Sequence, residues 1–324
     1  MVFKFAPLHC GHEKLINTAL AQCEELFIIS YSVPEMPDCE PEKRLTWLQV
    51  RFPQATILVL TPELVARYNL PAIPHNDADI HRHYVATLCL QILRCRPHAV
   101  FTAEDYGDGF ANVLARRFAQ PVEHVRMARP VGDEAPSGTL IRSDVHRYRY
   151  MLANDVYYSF VRRICLLGGE STGKSTLSKA LADGLDTVYV AEFGRDYWEE
   201  KNGILTADDL LHIACEQVRR EQQAEANHYL ICDTSPLTTL FYALDQYGHA
   251  PQELHQLAER EYSLVVLCGA EFPFVQDGTR QGEVFRARQQ VWYEQELSRR
   301  NIPYLSVSGS LQERLGQILH RLPD

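Results

Sequence analysis

Eight consecutive residues match the phosphate-binding pattern G-x-x-x-x-G-K-[ST]. They are Gly168, Gly169, Glu170, Ser171, Thr172, Gly173, Lys174 and Ser175. The apolar run 163–167 precedes them, and an apolar-periodic segment begins at Thr176. In such a loop backbone N–H groups surround the phosphates of a nucleoside triphosphate, Lys174 supplies positive charge and the Ser175 hydroxyl binds Mg²⁺. The sequence therefore predicts a site for ATP and Mg²⁺ between Gly168 and Thr176.

A second candidate phosphate site lies near the start of the chain. His9 and His12 flank Gly11 and are followed by the amphipathic segment 13–22. Two imidazoles beside the N–H groups of a helix start, with a glycine that lets the backbone approach closely, can hold a polyphosphate. Ordinary surface histidines are the alternative interpretation.

The segment 137–142 resembles another helix start. Ser137 and Thr139 carry hydroxyl groups, and Arg142 follows one helical turn later. Together with the paired histidines, these residues predict nucleotide chemistry in the first half of the chain.

A cluster of five potential metal ligands has a simpler explanation. Its members are His75, Asp77, Asp79, His81 and His83. The spacing of His81 and His83 puts them on different faces of a helix, and residues 76–79 are typical of a helix start. We therefore expect no metal site here, although the segment could line a substrate pocket.

Composition and charge limit the classes of partner. The net charge of −10 argues against a broad surface for nucleic acid or anionic membranes. Nine scattered cysteines without a C-x-x-C pair are typical of a reducing cytosol, and the sequence shows neither a signal core nor a run long enough to span a membrane. We expect a cytoplasmic protein with small-molecule partners, and the sequence leaves homo-oligomer formation open.

The alternation of apolar runs with helical spacing predicts an α/β fold with two doubly wound parallel sheets. The candidate strands of the first half are 26–30, 56–60, 99–102 and 122–125, and those of the second half are 164–167, 188–191, 229–232, 264–267 and 304–307. A boundary near Tyr157 would separate a Rossmann-like nucleotidyltransferase domain, 1–156, from a phosphate-loop kinase domain, 157–324.

These motifs together resemble a known family. The first half is similar to the H-x-G-H nucleotidyltransferases with an S-x-T-x-I-R signature. Its fusion to a phosphate-loop kinase resembles the NadR family, in which nicotinamide mononucleotide (NMN) adenylyltransferase is joined to ribosylnicotinamide kinase. The resemblance rests on segments 4–12, 44–48, 101–107, 137–142 and 168–175. Family members that repress transcription carry an additional N-terminal helix-turn-helix domain. We expect no such domain here, because the H-x-G-H motif begins at His9, and the resemblance therefore does not imply DNA binding.

For the first half, the resemblance implies adenylyl transfer from ATP to NMN. His9, His12 and Arg142 would stabilise charge on the ATP phosphates while the NMN phosphate attacks and pyrophosphate leaves. Ser137 and Thr139 would hold phosphates. Only residues 1–3 precede Lys4, where the family has a full strand and a glycine. We therefore expect a shortened first strand, and a degenerate module that senses NAD or NMN is the alternative for this domain.

For the second half, the resemblance implies phosphorylation of nicotinamide riboside. Glu192 lies where related nucleoside kinases place the carboxylate that orients or deprotonates the substrate hydroxyl, and Asp196 is the second choice. Asp233, at the end of the run 229–232, is expected to hold Mg²⁺, although a cap on the helix from Pro236 is an alternative. A generic kinase for another nucleoside also fits these residues.

The resemblance also assigns a lid to residues 277–280. Arg280 would close over the phosphates, whereas Arg286 and Arg288 fit this role and a solvated helix about equally well. Three aromatic residues could stack on the nicotinamide ring, although core packing is the more common role of such side chains. They are Phe193, Tyr197 and Trp198.

Overall fold

The computed structural model describes residues 1–72, 77–103, 106–127, 135–276, 278 and 280–322. The chain divides into two compact units, Met1–Phe160 and Val161–Asp324. The division falls four residues after the boundary expected from the sequence. Both units are built from parallel strands and helices, so the expected α/β class is confirmed.

The first unit contains five strands and seven α-helices among its described residues. In chain order they are β1 (Val2–Phe3), α1 (Cys10–Leu20), β2 (Phe27–Ser30), α2 (Pro41–Arg51), β3 (Thr56–Val59), α3 (Pro62–Arg67), α4 (Ala78–Leu88), β4 (Ala99–Thr102), α5 (Gly107–Phe118), β5 (Glu123–Arg126), α6 (Gly138–Ser143) and α7 (Asn154–Tyr158). A π-helical turn, Cys89–Leu93, continues α4, and a 3₁₀ turn spans Arg149–Met151.

The strands of this unit form the parallel groups β1-β2-β3 and β4-β5. The first strand has two residues, as expected, with Val2 paired to Ile29 and Phe3 to Ser30. The chain end extends this pairing, because the Met1 ammonium donates to the Phe27 carbonyl at 2.7 Å. In the described part of the unit no ladder joins β1 to β4.

The second unit is a five-stranded parallel sheet covered by helices. Its elements are β6 (Arg162–Leu167), α8 (Lys174–Gly184), β7 (Tyr189–Val190), α9 (Phe193–Glu200), α10 (Ala207–Gln223), β8 (Tyr229–Asp233), α11 (Pro236–Tyr247), α12 (Gln252–Leu257), β9 (Leu264–Cys268), α13 (Glu283–Arg299), β10 (Tyr304–Val307) and α14 (Leu311–Leu319). The strand order is β10-β9-β6-β8-β7.

The position of β6 in this sheet determines where the phosphate loop lies. The strand is central, and its last four residues are buried between two hydrophobic clusters on opposite faces. Fully buried parallel strands are rich in continuous apolar residues, which explains why the run 163–167 is apolar without alternation. Because all strands are parallel, the segments that leave β6, β7 and β8 emerge at one edge of the sheet, where ligands bind in such folds.

The segment that contains the histidine and aspartate cluster leads into α4. Asp77 caps α4 by accepting hydrogen bonds from the Asp79 and Ile80 amides, which confirms the helix start predicted there. His75 lies outside the described residues, and no group of three or more potential metal ligands occurs within them. None of the described helices is long and apolar enough to cross a bilayer.

Candidate functional site

The backbone of the phosphate loop requires glycine at two positions. Gly168 has φ +144° and Gly173 has φ +79°, values that L-residues with a side chain rarely adopt. A Cβ on Gly168 would lie 2.8 Å from the carbonyl oxygen of Cys268, so that position is excluded by contact as well. At Gly173 the nearest atom would be 3.7 Å away, so only the left-handed backbone conformation disfavours other residues there.

Contacts from inside and outside the loop hold its shape. The buried Thr172 hydroxyl donates to the Gly169 carbonyl at 2.8 Å. The amides of Gly169 and Glu170 donate to the side-chain carbonyls of Gln290 and Gln289, at 3.1 and 2.9 Å. These two glutamines lie on α13, over a hundred residues along the chain, and no sequence motif marks them.

Lys174 is the first residue of α8 and lies against the loop. Its Nζ donates to the carbonyls of Gly168 and Gly169 at 2.9 and 3.0 Å. The positive charge is therefore placed beside the N-terminus of α8, which itself favours anions. The arrangement is suited to a polyphosphate.

Two carboxylates, the half-buried Glu192 and the buried Asp233, lie near this charge. Glu192 is the N-cap residue of α9 and lies two positions after the end of β7, and Asp233 ends β8. Burial raises the pKa of both groups, while Lys174 acts in the opposite direction on both. The nearby carboxylates Asp233 and Glu170 raise the pKa of Glu192 further.

The surroundings of Asp233 fit a magnesium ligand. Its side chain is 1% exposed, and its Oδ1 has no hydrogen-bond partner in the part of the chain that the structure describes. A buried carboxylate oxygen without a partner is costly unless a ligand satisfies it. Ser175 hydrogen-bonds the same carboxylate, so a hydroxyl and a carboxylate oxygen meet here, the ligand type that Mg²⁺ prefers. The residues therefore fit the metal expected from the sequence.

Part of this set lines a cavity of about 610 Å³, which lies in the range of small-molecule sites, whereas Gly168, Gly169 and Asp233 are not among its lining residues. The expected residues at the cavity are Glu170 to Thr176, Glu192 and Arg280. Several other residues line the cavity without a role predicted from the sequence, among them Arg195, Tyr242 and Gln289. The Arg195 charge lowers the pKa of Glu192 and Asp233, against the larger effect of burial.

The three aromatic candidates on α9 separate into two groups. Phe193 is buried in a hydrophobic cluster, and Tyr197 packs against that cluster. Trp198 lines the cavity. Asp196, the second choice for the base, is exposed and is not among the lining residues.

The arginines near the expected lid also differ in position. Arg280 lines the cavity and donates to the Ser171 hydroxyl at 3.4 Å. Arg286 is buried and donates to the Phe272 carbonyl and the Glu283 carboxylate, whereas Arg288 pairs with Asp245 at 2.8 Å. Only Arg280 of the three is at the cavity. Two other members of the expected lid, Asp277 and Thr279, lie outside the described residues.

In the first unit, the paired histidines are stacked at the start of α1. His9 is the N-cap residue, and its ring lies 3.7 Å from the ring of His12, centroid to centroid. A Cβ on Gly11 would lie 3.1 Å from the His9 ring, so the glycine provides the space for it. Burial, with a smaller contribution from His9, lowers the pKa of His12 well below its usual value. His12 is therefore suited to hydrogen bonding as a neutral imidazole.

The second predicted element lies against the same loop. Ser137 caps α6 by accepting from the Leu140 amide at 3.2 Å. Arg142 donates to the Ala6 carbonyl and to the Thr139 hydroxyl. A Cβ on Gly138 would come within 2.6 Å of the Ala6 carbonyl oxygen, which shows how closely α6 approaches the residues before His9.

Two other segments support the resemblance, 44–48 and 101–107, and the structure describes the first fully and the second only in part. Arg44 is fully buried; it donates to the Lys4 carbonyl and to both carboxylate oxygens of Glu35, so its contacts in the structure are internal to the fold. In the segment 101–107, residues Glu104 and Asp105 lie outside the described part of the chain.

The fold and site define an α/β protein with a phosphate-loop nucleotide-binding unit. Residues 163–314 match a family model described as an AAA domain. The chain is 28% identical over 306 residues to the trifunctional NAD biosynthesis/regulator protein NadR of Escherichia coli (strain K12), with 86% of this chain and 70% of the relative covered. The protein of the same name from Salmonella typhimurium is 28% identical over 303 residues, with the same shares covered. The chain is a homologue of these NadR proteins.

Two solved structures share the fold. A NadR protein in complex with NR has a TM-score of 0.61 and 22% identity, covering 95% of this chain and 87% of its own. A NadR protein in complex with NAD and AMP-PNP has the same TM-score and 19% identity, covering 99% and 94%. The similarity therefore extends over both units.

We expect Gly173→Ala to weaken the binding of ATP about tenfold, because a left-handed conformation costs a residue with a side chain about 1–2 kcal/mol. Isothermal titration calorimetry with Mg²⁺ and ATP measures this change. Gly316→Ala in α14 is the control, since a Cβ there meets open space and alanine favours a helix. Equal affinity in Gly173→Ala and the wild type would contradict the importance of the left-handed conformation.

Proposed function

We propose that the protein is a bifunctional enzyme of NAD biosynthesis. The second unit would phosphorylate nicotinamide riboside with ATP to give NMN, and the first would transfer the adenylyl group of ATP to NMN, giving NAD and pyrophosphate. The observation that carries the proposal is that Lys174 and Glu192 line one cavity beside the phosphate loop, while Ser175 of the same loop hydrogen-bonds the buried Asp233 carboxylate. The homology to NadR proteins supports the choice of substrates.

In the kinase reaction the loop N–H groups and Lys174 hold the transferred phosphate group in place. Mg²⁺ held by Ser175 and Asp233 would neutralise negative charge on the phosphates. Glu192 accepts the proton of the attacking hydroxyl, and burial supports this role because it raises the proton affinity of the carboxylate. Arg280 closes the cavity on the phosphate side, and Trp198 provides a flat surface for the nicotinamide ring.

In the adenylyl transfer the chain requires no covalent intermediate. The NMN phosphate attacks the α-phosphorus of ATP, and pyrophosphate leaves. His9 and His12 donate hydrogen bonds to the phosphates, Arg142 adds positive charge, and Ser137 and Thr139 hold the phosphates at the start of α6. The position of α6 against the Ala6 carbonyl supports the assignment of both motifs to one site.

The short first strand favours a second candidate function for the first unit. A two-residue β1 without a described ladder to β4 gives this half of the sheet less support than a full strand would. The unit would then bind NAD or NMN and regulate the kinase without turnover. Calorimetry distinguishes the two functions, because tight dinucleotide binding without NAD synthesis is expected of a sensor alone.

We expect Glu192→Gln to lower the kcat of riboside phosphorylation by about 100-fold to 10,000-fold, the usual contribution of a general base. The base must be deprotonated, and its pKa is raised, so the kcat/KM of the wild type should fall with decreasing pH at a higher pH than for an ordinary glutamate. Steady-state kinetics from pH 5 to 9 test both points. Asp196→Asn is the comparison on the same helix; a larger loss in Asp196→Asn would assign the base to Asp196 instead.

We expect His12→Ala to reduce NAD synthesis from NMN and ATP by about 100-fold, because one transition-state hydrogen-bond donor is removed. Riboside phosphorylation by the same variant should be unchanged. The matched control is His98→Ala, an exposed histidine of the same unit. Undiminished NAD synthesis by His12→Ala would refute the assignment of the histidines to this reaction.

A further inference from the structure

Arg314 is a buried arginine that contacts the phosphate loop from outside. Its side chain is 1% exposed and lies on α14, and its Nη1 donates to the carbonyl of Thr172 at 2.7 Å. The two residues are 142 positions apart. No sequence motif pointed to Arg314.

The other donors of the guanidinium fix its position. Nε donates to the Gly309 carbonyl at 3.0 Å, and Nη2 donates to the Gly269 carbonyl at 3.1 Å and to the carboxylate of Glu271. The guanidinium carbon also lies 4.3 Å from the centroid of the Phe272 ring. The planar fork of an arginine can serve all of these partners at once, whereas a lysine ammonium cannot reproduce the arrangement.

The contact with Thr172 determines the orientation of one peptide group. Since a trans peptide is planar, its C=O and N–H point in opposite directions. Arg314 holds the Thr172 carbonyl, so the N–H of Gly173 points away from Arg314. Gly173 lines the cavity, and phosphate loops bind their ligand through such N–H groups.

We propose that Arg314 is a positioning residue for ATP, which orients the Thr172–Gly173 peptide so that the Gly173 N–H is presented to the phosphates. The positive charge on the carbonyl side also polarises the peptide and strengthens its N–H as a donor. The inference rests on the proposed ATP site and adds to it a residue that does not touch the nucleotide.

Phe272 extends this arrangement to the segment that leads toward Arg280. Its ring atom Cε2 would be 3.7 Å from a Cβ placed on Gly173, while the other residues of the segment that contact Arg314 are Gly269 and Glu271. Arg314 therefore couples the loop to the residues that follow β9.

Arg314→Met tests the inference through the affinity for ATP. We expect the Kd for ATP with Mg²⁺ to rise by at least about tenfold, the effect of about 1.4 kcal/mol, in isothermal titration calorimetry. The KM for ATP should rise similarly, while kcat at saturating ATP and the KM for nicotinamide riboside change by less than about twofold, since the substrate side of the cavity is unaltered. Hydrogen exchange adds a local readout, because ATP should protect the Gly173 amide in the wild type and not in the variant.

Arg300→Met is the matched control. Arg300 also donates to a backbone carbonyl, that of Ala258, and to a carboxylate, Glu296, but has no contact with the phosphate loop in the described structure. If Arg314→Met does not fold, Arg314→Lys replaces it, with an expected loss of ATP affinity in the same direction.

The outcomes separate the two proposals. Unchanged ATP affinity in folded Arg314→Met and Arg314→Lys, or an equal loss in Arg300→Met, would overturn the positioning role while leaving the kinase proposal intact. An absence of ATP binding by the wild type would overturn the proposed function and this inference with it.

Discussion

The second unit depends on one electrostatic arrangement: Lys174 and the backbone N–H groups at the N-terminus of α8 together place positive charge at the phosphate loop. A buried, central β6 brings the loop to the carboxyl edge of the sheet, and the glycines allow its backbone to turn there. The half-buried Glu192 and the buried Asp233 lie at the same edge, where removal from water raises the pKa of each carboxylate. The positive charges of Lys174 and Arg195 offset part of the free-energy cost of removing these carboxylates from water. A bound metal ion would lower this cost further.

The same arrangement explains why the loop is supported from so many directions. Each carbonyl that turns away from the cavity needs a partner in the interior, because an unpaired buried carbonyl is costly. Thr172, Gln289, Gln290 and Arg314 meet such requirements or fix the neighbouring amides. The conformation of the phosphate loop therefore depends on side chains from α13 and α14, far along the chain from the loop itself.

Local patterns account for what the sequence could predict. The phosphate loop, its lysine and the strands around it follow from spacing within short windows, and the observed strands agree with the expected ones to within about two residues at most ends. The sequence singles out Asp233 and Glu192 as candidates because each follows a predicted strand, and the carboxyl ends of parallel strands mark the binding edge. It does not single out Arg314 and Gln289, because their contacts join segments far apart in the chain and neither residue type carries a local signal. The α9 aromatics could be placed near the site, but only the fold separates Trp198 from the buried Phe193.

The first unit shows the limit of motif-based inference in another way. The H-x-G-H residues predict a phosphate-binding helix start, and the structure adds that His9 and His12 are stacked and that burial lowers the pKa of His12. The sequence predicts the shortened β1. The structure adds that this strand pairs with β2 and that no ladder joins it to β4 among the described residues.

The most direct test of the account is a product assay of the purified protein with ATP, Mg²⁺ and either nicotinamide riboside or NMN, resolving NMN, NAD, ADP and pyrophosphate for the wild type and Lys174→Ala. The account predicts that the wild type forms NMN and ADP from the riboside and NAD and pyrophosphate from NMN. Lys174→Ala should lose only the first reaction. Riboside phosphorylation at the wild-type rate by Lys174→Ala would contradict the assignment of the phosphate-loop cavity as the kinase site.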